Sequence, residues 1–288
     1  MLLSIKKYLS LIKFSHTIFA LPFALIGFSL AIHSGKATFN LQKLVLVILC
    51  MLFARSAAMA FNRFIDRKFD AKNPRTAIRE IPAGAILPSA VLFFTVICCG
   101  LFVLCAYLIN SLCFYLSPVA LLVILGYSLT KRFTPLCHLI LGLGLALAPI
   151  GAYMALTQQF AILPILFGCI VFFWVSGFDI MYALQDEDFD RSQGLKSIPV
   201  YFGTKKSLRL SELVHLFAAI IVTFGFFLGG FSWLYIIGAL LFMSLLVYQH
   251  HLVKPTDLSK INLAFGTTNG IASVVFCIFV CADIFLLG

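Results

Sequence analysis

Two groups of polar residues repeat at helical spacing, each at the end of a long apolar run. In the first group, Asn62, Asp66 and Asp70 are each four residues apart. In the second group, Asp186 and Asp190 are four residues apart. On a helix this spacing puts the side-chain oxygens on one face, where carboxylates repel one another unless a cation lies between them. Mg²⁺ prefers oxygen ligands and completes its shell with water and phosphate oxygens. The spacing therefore predicts a site for Mg²⁺ and a diphosphate, with salt-bridged helix ends as the structural alternative.

Asp179 is the acidic residue that lies deepest in an apolar run. It precedes Asp186 by seven residues and so falls on nearly the same helix face. Ionisable groups inside membrane segments are functional by default. The alternative is a structural ion pair with Arg55 or Lys131. Arg55 itself lies within an apolar run, where it either holds a substrate carboxylate or neutralises an aspartate.

A third segment ends on two adjacent cations. Lys131 and Arg132 follow an apolar run, and Tyr127 lies one helical turn before them. Either cation is long enough to reach a bound diphosphate. The alternative is that both serve only to anchor the helix at the membrane surface.

The composition requires these residues to be positioned by membrane helices. The chain has 288 residues, of which 62% are hydrophobic and 11% charged, with a mean hydropathy of +1.06. This excludes an ordinary soluble enzyme, a disordered protein and a disulfide-stapled secreted domain. The nine cysteines lie in or beside apolar runs without metal-ligand spacing, so we expect them to act as small apolar side chains.

The apolar runs predict an all-α, polytopic membrane protein that forms a single domain over residues 1–288. The predicted spans are 14–33, 41–61, 86–108, 112–130, 136–156, 161–184, 209–228, 232–250 and 262–286. His16, on the first span, is expected to pack between helices. Only helices satisfy the backbone groups within each segment, since the period-2 pattern of a barrel is absent.

The basic residues predict an orientation. With the N-terminus inside, 18 of the 21 Lys and Arg fall in inner connections, and only Lys36 and Lys43 fall outside. This bias predicts a cytoplasmic-membrane protein with its N-terminus inside and its C-terminus outside. It also accounts for the net charge of +10 without a nucleic-acid partner. Both aspartate groups then lie at the inner face, whereas transporter sites lie near the bilayer midplane. A transporter is therefore the less favoured class.

The chain resembles the intramembrane aromatic prenyltransferases, the relatives of 4-hydroxybenzoate polyprenyltransferase, along essentially its whole length. The segments that carry the resemblance are Asn62-x3-Asp66-x3-Asp70, Tyr182-Ala183-x2-Asp186-x3-Asp190, RTAIREIPAG (75–84), Tyr127…Lys131-Arg132 and GLKSIPVYFG (194–203). The resemblance implies about nine helices in a ring around a central cavity that opens sideways to lipid. It also implies Mg²⁺-dependent transfer of a polyprenyl group from its diphosphate to an aromatic acid in quinone biosynthesis, with 4-hydroxybenzoate as the first candidate acceptor.

The resemblance also implies roles for individual residues. The implied Mg²⁺ ligands are Asn62, Asp66, Asp70, Asp186 and Asp190. The implied diphosphate-binding residues are Arg67, Lys131, Arg132 and Lys196. Asp179 and Tyr127 would face the reacting carbon or the aromatic acceptor, and Asp186 would act in catalysis as well as in metal binding.

Two departures from the family pattern bear on the acceptor. Glu80 stands where the common pattern has a proline after Arg79. The first span reads KFSHTIFALPFALIG (13–27) and lacks the Lys/Arg-Pro-x-Gly start of many 4-hydroxybenzoate enzymes. Both departures keep a dihydroxynaphthoate, a menaquinone precursor, as an alternative acceptor.

Overall fold

The protein is described by a computed structural model that covers residues 2–13 and 19–287. These residues contain helices and no β-strand. The helices are α1 (Leu2–Leu11), α2 (Leu21–His33), α3 (Leu41–Asp70), α4 (Pro88–Ile109), α5 (Ser111–Thr130), α6 (Cys137–Thr157), α7 (Ile162–Tyr182), α8 (Glu187–Ser192), α9 (Ile198–Gly229), α10 (Trp233–Leu252) and α11 (Asn269–Leu286). A 3₁₀ turn, Ala183–Asp186, precedes α8, and a π-helical turn, Leu263–Thr268, precedes α11. The prediction for His16 lies outside the described residues.

The predicted membrane helices are largely confirmed. Within residues 2–13 and 19–287, eight helices are long and apolar enough to cross a membrane, and α2 is a shorter apolar helix. At 1.5 Å per residue, the 13 residues of α2 extend about 20 Å, less than the ~30 Å hydrocarbon core. Some predicted bounds differ from the structure. The polar start of α9 is also helical, with a break at Gly203, whose φ is 74° and ψ 166°. The described helix of the first predicted span begins only at Leu21, while the polar end of α3 stays helical well beyond its apolar run. As a result, the first aspartate group lies on the same continuous helix as the apolar span before it.

Several helix ends follow from local capping. The Asn40 side chain accepts a hydrogen bond from the Lys43 amide at the start of α3, and Asn110 does the same for Cys113 at the start of α5. Both satisfy amide groups that a first helical turn leaves without a partner. The start of α10 is capped from a distance, since the Asp283 carboxylate on α11 accepts from the backbone amide of Ser232 at 2.9 Å.

The helices form a ring in which sequence neighbours pack together and α11 returns to α2. Inside the ring, α2 packs closely on α6. Gly27 makes this approach possible, because a Cβ atom there would lie 2.1 Å from the Pro149 carbonyl oxygen. The two sides of the ring are filled differently. Aromatic side chains such as Phe23, Trp174 and Phe276 pack the side around α7 and α11, while the side between α3 and α6 encloses open space.

The break between α7 and α8 positions the second aspartate group. Tyr182 ends α7, and the chain then turns through the 3₁₀ segment before α8 begins. Asp186 has φ −109° and ψ 6°, which is outside the helical region. The Tyr182 ring packs on Phe265 of the π-helical turn, with ring centroids 4.1 Å apart. The contact between the end of α7 and the π-helical turn before α11 therefore helps to fix the position of the second aspartate group.

Candidate active site

A charged cavity of about 540 Å³ lies at the end of the ring where α3 and α7 carry their aspartates. The 71–87 and 131–136 connections also contribute to its walls. The predicted site residues that line it are Arg55, Asn62, Asp66, Asp70, Tyr127, Lys131, Arg132, Asp179, Asp186 and Asp190. The structure thus brings residues from three separate sequence segments into one cavity.

On the α3 side, the three polar residues follow one helix face into the cavity. The Asn62 amide donates to Asp66 Oδ2 at 3.1 Å, and the Arg132 guanidinium lies 3.1 Å from Asp66 Oδ1. Asp70 is buried, with Arg79 2.6 Å from its Oδ1. Its other carboxylate oxygen, Oδ2, is buried and has no hydrogen-bond partner in the part of the chain that the structure describes.

On the opposite wall, the second aspartate group is held by the two connections. Arg75 forms a two-point ion pair with the Asp186 carboxylate, and Asn73 donates to Asp186 Oδ1 at 3.0 Å. Arg75 also donates to the Tyr182 hydroxyl at 3.2 Å. Asp190 is 1% exposed, and its Oδ2 lies 2.7 Å from Lys131 Nζ. Each motif aspartate therefore has a basic partner from another segment of the chain.

The ion pairs keep these cations charged at the cavity wall. Burial acts to lower the pKa of Arg75, but its hydrogen bonds to Asp186 and the charge of that carboxylate outweigh burial and raise it. Burial likewise acts to lower the pKa of Lys131, and the charge and hydrogen bond of Asp190 raise it overall. Both basic residues are therefore charged near neutral pH, ready to contact an anion.

Sequence reasoning missed Arg75 and Arg79 as site residues. Both lie in the 75–84 segment that carries part of the family resemblance. Two closely spaced carboxylates need compensating positive charge, and this requirement could have indicated that basic side chains such as Arg75 and Arg79 belong to the site. The partners come from the connection after α3, however, and the path of that connection is not a local property of the sequence.

Two predicted diphosphate-binding residues do not line the cavity. The Arg67 guanidinium donates to the Phe64 carbonyl at 2.6 Å and lies over the Phe64 ring at 4.4 Å, on another side of α3. Lys196 is exposed, and its Nζ donates to the Phe133 carbonyl at 3.3 Å. Both side chains are held elsewhere by nearby carbonyl groups.

The alternative interpretation of Asp179, an ion pair with Arg55 or Lys131, is not what the described residues show. The partner of Asp179 is His138, whose Nδ1 lies 2.6 Å from Asp179 Oδ2. His138 is on the first turn of α6, which packs tightly against α7. This packing brings an otherwise unremarked histidine onto the cavity wall, where no spacing rule in the sequence indicated it.

A second, apolar cavity of about 370 Å³ adjoins the charged cavity. It lies between α3, α4, α5 and α6, and side chains such as Val47, Ala120 and Ala148 line it. Arg55 and Tyr127 line both cavities and so mark where they meet. The Nε atom of Arg55 is buried and has no hydrogen-bond partner among the described residues. The junction of the two cavities therefore carries a basic side chain with a donor atom left unpaired.

The donor chemistry of the charged cavity fits a hard divalent cation. Its five motif residues offer only carboxylate and amide oxygens as ligands, which is what Mg²⁺ prefers. The buried Asp70 Oδ2 is an acceptor atom to which no described residue donates a hydrogen bond. Over the described ranges, no three side chains of Asp, Glu, His or Cys are grouped to hold one metal ion by themselves. Mg²⁺ is commonly bound through one or two carboxylates together with substrate phosphates, so aspartate pairs suit it.

Curated relatives resemble the chain over most of its length. The 4-hydroxybenzoate octaprenyltransferase of Aliivibrio fischeri (strain MJ11) is 31% identical over 238 residues, which cover 81% of each chain. The 4-hydroxybenzoate octaprenyltransferase of Aeromonas salmonicida (strain A449) is 31% identical over 240 residues, which cover 82% of each chain.

Solved structures agree with the fold. A UbiA homolog from Aeropyrum pernix K1 superposes with a TM-score of 0.80 at 30% identity, covering 93% of this chain and 96% of that one. A UbiA homolog from Archaeoglobus fulgidus, solved with DMAPP and Mg²⁺, has a TM-score of 0.76. At 22% identity, with 98% of this chain and 100% of that one covered, it supports the fold alone. The UbiA prenyltransferase family itself matches residues 20–277. The chain therefore belongs to the UbiA prenyltransferase family and is a membrane-embedded prenyltransferase.

Proposed function

We propose that the protein transfers a polyprenyl group from polyprenyl diphosphate to the ring of an aromatic acid, in a Mg²⁺-dependent step of quinone biosynthesis. 4-Hydroxybenzoate is the first candidate acceptor. One observation carries the proposal: a cavity lined by paired aspartates and cations meets an apolar cavity at Arg55 and Tyr127. The names of the curated relatives support the same reaction, and family membership favours an enzyme over the transporter alternative.

The two cavities match the two parts of the donor. The diphosphate would occupy the charged cavity, and the polyprenyl tail would extend into the apolar cavity. The residues that would hold Mg²⁺ are Asn62, Asp66, Asp70, Asp186 and Asp190. When bound, Mg²⁺ would supply positive charge that neutralises the diphosphate and favours its departure.

The basic partners of the aspartates would bind the diphosphate. Arg75, Arg79, Lys131 and Arg132 each lie within 3.1 Å of a motif carboxylate. With Mg²⁺ neutralising the carboxylates, these cations would donate hydrogen bonds to diphosphate oxygens. Such charge-assisted bonds stabilise the negative charge that develops as the carbon–oxygen bond breaks.

The acceptor would bind where the cavities meet. Arg55 is suited to the acid's carboxylate, because it forms no ion pair within the described part of the chain. Tyr127 and Asp179 would face the aromatic ring. The donor ionises to an allylic cation, the ring carbon attacks it, and the ring proton leaves to a carboxylate or to the diphosphate. The apolar lining of the cavity between α3 and α6 would keep water, which would otherwise hydrolyse the cation, away from it.

A dihydroxynaphthoate is the second candidate acceptor, and Glu80 favours it. This residue, which replaces the common proline, lines the charged cavity and accepts a 2.5 Å hydrogen bond from Ser10 Oγ. The contact ties α1 to the 71–87 connection. Glu80 thus adds a carboxylate to the cavity wall where the common pattern has an apolar proline, and this changes the surroundings in which an acceptor would bind.

The charge bias supports an inner-membrane protein whose N-terminus and active site face the cytoplasm. We treat residues 1–288 as a single domain. Accessibility of single cysteines introduced at Lys36 and Lys205, in a background without the native cysteines, tests this orientation. A membrane-impermeant thiol reagent should label only the first position from the outside, whereas labelling of only the second would reverse the orientation.

The reaction is tested with membranes that contain the protein and a labelled polyprenyl diphosphate. 4-Hydroxybenzoate and dihydroxynaphthoate are offered separately with Mg²⁺, and the products are identified by mass spectrometry. Ring-prenylated product from one acid names the acceptor. Absence of prenylated product from both acids, with short and long donors, would contradict the proposed function.

A further inference from the structure

His138 connects the proposed acceptor site to the start of α9. Its side chain is 3% exposed, and its two ring nitrogens have different partners. Nδ1 lies 2.6 Å from the Asp179 carboxylate on α7. Nε2 accepts a hydrogen bond from the Ile198 amide of α9, with the two nitrogens 3.4 Å apart. The ring therefore bridges a cavity-facing carboxylate and a helix N-terminus.

The first turn of α9 determines which ring nitrogen carries the proton. Amide groups in a first helical turn have no partner within the helix. The Val200 amide donates to the Ser197 side chain, and Pro199 has no amide hydrogen. The Ile198 amide donates to His138 Nε2, which must therefore present a lone pair. The single ring proton is then on Nδ1, where it points to Asp179.

We propose that His138 is a positioning residue for prenyl transfer, whose Nδ1–H group holds the Asp179 carboxylate toward the aromatic acceptor. The proposal rests on the proposed function, in which Asp179 faces that acceptor. It gives a role to the Ser197-Ile198-Pro199 turn: the turn sets the tautomer of the histidine, and the histidine orients the carboxylate. A hydrogen bond to the second ring nitrogen commonly sets the tautomer in this way.

The oriented carboxylate would serve the last step of the reaction. The ring carbon forms a bond to C1 of the allylic cation, whose bond to the diphosphate oxygen has broken with both electrons staying on oxygen. The same ring carbon then loses its hydrogen as a proton, which restores aromaticity, and Asp179 takes that proton on the oxygen that faces the ring. His138 keeps its own proton throughout and holds the other carboxylate oxygen.

Steady-state kinetics separate positioning from packing. We expect His138→Ala to lower kcat about 100-fold, with the KM values of both substrates nearly unchanged. This factor is at the lower end of the rate enhancement that a well-positioned proton acceptor provides. His138→Asn should recover most of this loss, because its amide NH₂ can replace the Nδ1–H donor. In an Asp179→Asn background, His138→Ala should cause no further loss, since the two residues act as one unit. A kcat close to that of the wild type in His138→Ala, or an equal loss in both backgrounds, would overturn the proposal.

An isotope effect supplies a signature that lost packing would not produce. With an acceptor deuterated at the reacting ring carbon, His138→Ala should show a larger isotope effect on kcat than the wild type, because proton removal becomes slow. His215→Gln is the matched control. His215 is also 3% exposed. Its ring nitrogens contact the His250 ring and the Trp174 carbonyl, and His215 does not line the charged cavity. An unchanged isotope effect in His138→Ala would overturn the proposal.

The tautomer can be measured without turnover. Solid-state NMR of ¹⁵N-histidine-labelled protein in bilayers, with His138 assigned from the His138→Asn spectrum, should show a neutral ring protonated at Nδ1. Protonation at Nε2 alone, or at both nitrogens, would overturn the proposal. If the wild type prenylates neither acid, the proposed function has failed, and the NMR result alone decides whether Ile198 sets the tautomer.

Discussion

The charged and apolar cavities adjoin each other but are built in opposite ways. In the charged cavity, every motif aspartate is held by a basic side chain from another segment, as in the pairs of Asp70 with Arg79 and of Asp190 with Lys131. The apolar cavity is lined mainly by small and aliphatic side chains, and Gly151 leaves room in its wall. One cavity is specified by charge and geometry, and the other by volume.

This difference indicates how each cavity tolerates change. A buried charge that loses its partner is costly, whereas an apolar wall loses binding only in proportion to the contact that is altered. Changes in the charged cavity should therefore abolish the reaction, and changes in the apolar cavity should alter which donors react. Arg55 and Tyr127, which line both, should affect the acceptor.

The largest effect is expected at the motif carboxylates. Asp186→Asn keeps the shape of the side chain but removes its charge, so it should lower turnover about 10³-fold through lost stabilisation of the leaving diphosphate. Prenyl transfer in membranes measures this, with thermal stability in detergent as the folding check. Asp257→Asn is the control, because Asp257 is an exposed acid whose partner is Ser259. Near-normal turnover of a folded Asp186→Asn protein would refute the assignment of this residue.

Removal of divalent cations should have a comparable effect through the same cavity. Chelation with EDTA is expected to stop prenyl transfer, and added Mg²⁺ should restore it, because the carboxylates and the diphosphate repel each other without a cation. Activity as a function of free Mg²⁺ gives the dependence. Turnover that continues at full rate in EDTA would show that the charged cavity does not act through a divalent cation.

An intermediate effect is expected where the cavities meet. Arg55→Gln should raise the KM of the aromatic acid about 10- to 100-fold, which corresponds to one lost charge-assisted hydrogen bond. The KM of the prenyl donor should stay the same. The methyl ester of the acid is the matched control, since the wild type should bind it as weakly as the variant binds the free acid. A change in the donor KM alone would indicate that Arg55 binds the diphosphate and not the carboxylate of the acid.

The smallest effect is expected in the apolar cavity. A Cβ atom added at Gly151 meets no other atom within 4 Å, so Gly151→Leu fills cavity space without a backbone clash. It should lower kcat/KM for a long polyprenyl diphosphate about tenfold, a typical cost of overpacking, and leave dimethylallyl diphosphate unaffected. Gly100→Leu, on an exposed face of α4, is the control. An equal loss of kcat/KM with both donors would indicate that the polyprenyl tail does not bind in the apolar cavity.

The parts of the molecule that depend on local sequence were predictable. Eight spans follow from apolar runs of membrane length, and the aspartate spacing follows from the repeat of a single helix. Asp66 and Asp70 therefore face one cavity as expected. The ends of α3 and α9 were less predictable, because a polar helix that leaves the membrane has no apolar pattern to mark its bound.

The parts that depend on distant contacts were not predictable from one sequence. Asp179 pairs with His138 because α6 and α7 pack tightly, and no spacing connects these two residues. Arg75 pairs with Asp186 across a loop whose path is set by tertiary structure. Arg67 shows that adjacency in the sequence does not determine where a side chain points: it lies next to Asp66, but its guanidinium is held by the Phe64 carbonyl away from the cavity.

The division between a diphosphate cavity and a tail cavity is tested most directly by photolabelling. A polyprenyl diphosphate with a photoreactive diazirine at the far end of its tail is bound with Mg²⁺ to the protein in vesicles, and the labelled peptides are identified. We expect label on apolar-cavity residues of α5 and α6, such as Ala120 and Ala148, and its loss in Asp186→Asn or on competition with unmodified donor. Label on the outer faces of α9 and α10, or label unaffected by Asp186→Asn, would contradict this division.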